Sequence, residues 1–176
     1  MPDWLATMLG VIAGGTLTMM TGWLADRRLT ERERERRRDD RRERLTDRKN
    51  KSQRETLLAL QVISQKLLRT TGRMHHLDVV AFRTTGKWQR QQFPNDLSDD
   101  HLHQMTETVL LASRIRDDET RTLAERLRDR TAVVGMSANE GEADSRMMAA
   151  ADIQGALINR IGQLVREMDE ADALPR

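Results

Sequence analysis

The stretch RLTERERERRRDDRRERL, residues 28–45, decides how this chain is built. Between Leu29 and Leu45 there is no apolar side chain, and there is no Gly or Pro either. Blocks of like charge repel and stay disordered, but here the signs are mixed. Glu33 precedes Arg37 by four residues and Asp40 precedes Arg44 by four, while Glu31–Arg34, Glu35–Arg38 and Asp39–Arg42 are spaced by three. Such pairs are neighbours on a helix surface, each worth about 0.2–0.5 kcal/mol, with the acid-first order the better one. Glu and Arg are also good intrinsic helix formers. With no apolar heptad, no coiled-coil seam is encoded. The spacing predicts a solvated, charged helical stalk over residues 26–51.

Upstream, WLATMLGVIAGGTLTMMTGWLA (Trp4 to Ala25) carries no ionisable side chain. As a helix it would be about 33 Å long, enough for a hydrocarbon core of about 30 Å. Trp4 and Trp23 fall one at each interfacial belt, and Arg27 and Arg28 begin the basic flank on one side only. The segment MPDW lacks the basic start of a signal peptide. The expectation is a retained transmembrane helix over residues 1–25, with the N-terminus outside and the rest cytoplasmic by the positive-inside rule. Ala6, Gly10, Gly14, Thr18 and Gly22 recur every four residues, a small-residue stripe suited to self-association in lipid. The arginines nearest the bilayer would also meet anionic headgroups.

Charge is distributed unevenly along the 176 residues. Residues 1–25 carry −1; residues 26–55, with fourteen basic and nine acidic side chains, carry +5; the remainder carries −2. Tyr and Cys are absent and Pro is rare, which favours helices over strands and excludes disulfides and thiol chemistry.

From Ser52 the pattern becomes amphipathic. Leu57, Leu60, Ile63, Leu67, Met74, Leu77 and Val80 mark a helix to about Phe82. The run TTGKWQRQQFPNDLSDD then breaks it at Gly86 and Pro94, with Ser98 as the expected cap of the next helix and Asp99 and Asp100 in its first turn. Leu102, Met105, Val109 and Ala112 form the expected buried stripe, and a turn is expected near Asp117. Leu123, Leu127 and Val134 face inward next. SANEGEAD makes a second loop, and Met147, Ala150, Leu157, Ile161, Leu164 and Met168 fit an a/d seam. Short connections predict an antiparallel four-helix bundle over residues 52–176, or a three-helix bundle if the chain does not break at Asp117. The whole is thus expected to be all-α.

Chemistry is sparse. There is no phosphate loop, nucleophile elbow or Cys/His zinc pattern, so no catalytic, cofactor or metal site is expected. His75 and His76 end one helix while His101 and His103 begin the next; a hairpin could bring these pairs together, yet adjacent histidines on a helix point apart. Lys87, Trp88, Arg90 and Phe93 stand together in the longest loop and form the candidate partner-binding set, although the rings could equally cap the open end of the core. Acids interleaved among the arginines argue against a nucleic-acid partner.

The outline of one N-terminal span followed by a charged helix resembles small single-span bacterial membrane proteins. It is also similar to the holin-like accessory proteins of phage lysis cassettes. The resemblance covers about the first third of the chain and rests on architecture. Two roles are expected: a non-enzymatic, membrane-anchored scaffold or adaptor whose bundle binds a protein partner, or a holin-like permeabilising protein acting through oligomerised spans. Either implies a lipid bilayer and a homo-oligomer.

Overall fold

The computed structural model describes the backbone over residues 4–89 and 92–173, and side chains over 33–89 and 92–173. Among the described residues there are four helices and no strand: α1 (Trp4–Thr85), α2 (Asn95–Ser113), α3 (Asp118–Val134) and α4 (Glu140–Ala173). Residues 26–51 and the first helix of the bundle lie in one element, α1, and the stretch between Gly22 and Gly72 holds neither Gly nor Pro to interrupt it. The transmembrane expectation for residues 1–25, with Trp4, Ala6, Gly10, Gly14, Thr18, Gly22 and Trp23, lies outside the residues whose side chains are described, as do Arg27 and Arg28. Among the described residues, no helix is long and apolar enough to cross a membrane.

The chain divides into two compact units, Met1–Lys49 and Asn50–Arg176. In the first, every described side chain from residue 33 is exposed. At 3.6 residues per turn the charges sort themselves by side. Arg34, Arg37, Arg38, Arg41 and Arg42 line one shallow furrow with Leu45. Glu33, Glu35, Asp39, Asp40, Glu43 and Asp47 occupy the other half of the surface, where Arg36 joins them. The Glu33–Arg37 pair closes at 3.8 Å across the boundary between these halves.

The second unit is a helical bundle whose core draws on every helix: Leu57, Leu60 and Ile63 from α1, Leu111 and Ala112 from α2, Ala124 and Leu127 from α3, and Ala150, Leu157 and Ile161 from α4. Cross-helix bonds fix the directions. Gln53 Oε1 accepts from the Arg116 N–H and Thr71 meets His101, so α2 runs back along α1. Arg54–Asp169 and His75–Asp144 bind opposite ends of α1 and α4, which are likewise antiparallel. Asp117–Arg160 at one end and Arg146 to the Val133 carbonyl at the other do the same for α3 and α4.

The α2–α3 break needs neither Gly nor Pro, because Asp117 supplies a better use for the backbone than another helical turn. Its carboxylate accepts from the Thr120 N–H at 2.8 Å and the Thr120 hydroxyl at 2.7 Å, capping α3. Arg160 of α4 donates to both oxygens, at 2.6 and 3.2 Å. Behind it, Arg121 donates to the carbonyls of Ile115 and Arg116, satisfying the connector. Four helices rather than three therefore follow from one side chain.

Four local expectations are corrected. Helix α2 begins at Asn95, directly after Pro94, and the Leu97 and Ser98 N–H groups both donate to the Pro94 carbonyl. Ser98 lies inside the helix and caps nothing, since the fixed φ of proline already presets the entry. The buried stripe of α2 is also turned by about one residue, to Leu97, Gln104, Thr108, Leu111 and Ala112. Leu102 is 65% exposed and Val80 46%. Meanwhile SANEGEAD is mostly helix: Asn139 Oδ1 accepts from the Glu142 N–H, Glu142 accepts from the Ala138 N–H, and α4 starts at Glu140.

Candidate functional site

Helix α1 ends where Gly86 takes φ +68°, its N–H donating to the Phe82 carbonyl at 2.7 Å. A left-handed residue after the last turn is where glycine costs least. It throws the following loop across the end of the bundle. Trp88 lies edge-on to Phe82, ring centroids 5.7 Å apart, and at 6.3 Å from the His75 ring. Its indole Nε1 donates to the Ser137 carbonyl at 2.8 Å, and the Gln89 amide reaches the Gly135 carbonyl. The loop after α1 is thereby tied to the loop after α3. Of the candidate partner-binding set, Lys87 is exposed, Trp88 and Phe93 are half-buried, and Arg90 lies outside the described residues.

Trp88→Ala is expected to lower stability by about 1–2 kcal/mol, through lost buried area and a lost aromatic pair. Lys87→Ala, at an exposed position, should leave it unchanged. Thermal unfolding followed by circular dichroism measures both, and equal effects would remove Trp88 as a tie between the loops.

Beneath this loop lies a cavity of about 230 Å³ lined by side chains of α1, α2 and α3. Thr71, Met74, His75 and Asp78 come from α1, His101 from α2, Thr131 and Val134 from α3, and Phe93 from the loop. The hairpin does bring one histidine of each pair together. His75 and His101 share the cavity, whereas His76 and His103 are exposed. His75 Nε2 meets Asp144 at 2.7 Å, and its Nδ1 is buried with no partner among the described residues. His101 Nε2 meets the Thr71 hydroxyl at 3.1 Å, and burial pulls this imidazole below its ordinary pKa, so it is neutral at pH 7. Asp78 is 5% exposed; burial raises its carboxyl, partly opposed by nearby His75. Among the described residues, no group of three or more His, Cys, Asp or Glu side chains could hold a metal ion.

Sequence reasoning found the histidines and the aromatic loop but missed Asp78, Thr71 and Thr131. A signal was present: Asp78 falls seven residues after Thr71 and eleven after Leu67, on the buried stripe of α1. An acid in that phase is a buried acid.

Compared with known proteins, the chain matches no family model, and no curated protein or solved structure matches it.

Proposed function

We propose that this chain is a non-enzymatic, single-pass membrane-anchored adaptor. Residues 1–25 anchor it, residues 26–51 form a charged helical spacer, and the helical bundle engages a protein partner in the cytoplasm. The observation that carries the reading is the 22-residue stretch Trp4–Ala25, free of ionisable side chains and flanked by arginines on one side only. The small-residue stripe through Gly10 and Gly14 supports association of several anchors in the bilayer. Within the bundle, Lys87 stands exposed on the aromatic loop and Met136 is 74% exposed, within reach of a partner.

Anchoring and orientation are tested together in cells carrying a C-terminal tag. The chain should resist alkaline extraction from membranes, and protease added outside spheroplasts should leave the tag intact. Extraction by carbonate would remove the anchor, and digestion of the tag would place the bundle on the opposite side.

A further inference from the structure

The hydroxyl donors around the cavity are already committed to the protein. The Thr71 hydroxyl donates to the Leu67 carbonyl and the Thr131 hydroxyl to the Arg128 carbonyl, each at 2.8 Å. His75 uses Nε2 on Asp144, and its Nδ1 is buried with no partner among the described residues. His101 uses Nε2 on Thr71, and this bond settles its tautomer: the Thr71 proton points at Leu67, so the oxygen can only accept. Nε2 of His101 therefore carries the hydrogen, and Nδ1 keeps a lone pair. The Asp78 carboxyl lines the same space, on a residue only 5% exposed.

A guest would thus meet the Asp78 carboxyl and the His101 Nδ1 lone pair as acceptors, with both hydroxyl donors already taken. A carboxylate facing a cavity with mostly apolar walls is costly, and the cost is relieved by a cation bearing N–H groups. Neutral or anionic guests bring less to such a site. The remaining walls, Met74, Phe93, Val134 and Met136, are apolar, and Phe93 adds an aromatic ring of the kind that attracts cations.

We propose that this cavity binds a small organic ammonium ion, whose N–H groups donate to Asp78 and to His101 Nδ1 while its apolar body packs against Met74 and Phe93. At about 30 Å³ per water-sized group, 230 Å³ admits a guest of about eight non-hydrogen atoms. The proposal is independent of how the chain is anchored.

Benzylammonium has that size and charge, and benzyl alcohol is its neutral counterpart. Titration of each into the full-length chain in detergent micelles, read by calorimetry, should give saturable binding of benzylammonium at least tenfold tighter than of benzyl alcohol. Asp78→Asn keeps the shape of the side chain while removing the charge, and should weaken benzylammonium at least tenfold. Phe93→Ala changes a loop residue outside the helices and should also weaken it, which keeps the test intact if the Asp78 variant fails to fold. Absence of saturable benzylammonium binding, equal binding of benzyl alcohol, or undiminished binding by either folded variant would overturn the proposal.

Discussion

Leu157→Ala is expected to lower the melting temperature of the helical body by about 10–20 °C, and Leu102→Ala to leave it nearly unchanged. Leu157 is fully buried, in a cluster to which all four helices contribute. Truncating such a leucine costs about 3–5 kcal/mol, because the site loses transfer energy and keeps part of the cavity. In a unit of this size each kcal/mol moves the midpoint by about 4 °C. Leu102 is the informative control, since helical periodicity alone would bury it and the structure leaves it 65% exposed. Circular dichroism during heating decides the matter. Comparable losses in the two variants would mean that α2 is rotated back to the face marked by Leu102, Met105 and Val109.

The second large effect is expected at Asp117. This carboxylate caps α3 and holds Arg160 of α4, with only 18% of its own side chain exposed. Asp117→Ala removes both roles and should cost about 2–3 kcal/mol, more than a surface ion pair and at the upper end of a helix cap. Asp117→Asn retains a cap acceptor and should lose less. The pH dependence has a definite sign. Hydrogen bonds from Arg160 and Thr120 hold the folded carboxyl well below the ordinary aspartate range. Its contribution is therefore complete above the unfolded value of about pH 4 and fades as the pH falls below it. The gap between wild type and Asp117→Ala in urea unfolding should be constant from pH 5 to 7 and narrow toward pH 2. A gap that widened in acid would mean that the carboxylate is not the species being stabilised.

These two positions show what was legible in the chain. Leu157 and Ile161 stand on a clean apolar stripe, and Asp117 sits in a polar run between two such stripes, so the core of α4 and the α2–α3 turn could both be read. Helix α2 was read one residue out of phase because Gln104 and Thr108 lie on its buried face, where apolar counting looks elsewhere. The cap at Ser98 failed for a different reason: Pro94 had already fixed the entry of the helix. In the candidate site, the aromatic loop and the histidine pairs announced themselves by composition. Asp78 did not: its cue lay in its helical phase with Leu67 and Thr71, which composition does not mark.

The buried hydroxyls have a consequence of their own. Ser64, Thr71, Thr108, Thr131 and Ser137 are buried, and each donates its hydroxyl to a carbonyl three or four residues earlier in its own chain. Their polarity is settled mostly within the element that carries them; Thr71 accepting from His101 and Ser137 accepting from Arg146 of α4 are the two that also reach another helix. Valine has nearly the shape of threonine and brings no hydroxyl to satisfy. At Thr108, away from the cavity, that exchange removes a back-bond that tends to bend helices and leaves the packing nearly as it was. A body of this architecture thus has evolutionary latitude at its centre: two descendants could differ in hydropathy there while preserving the same helix contacts.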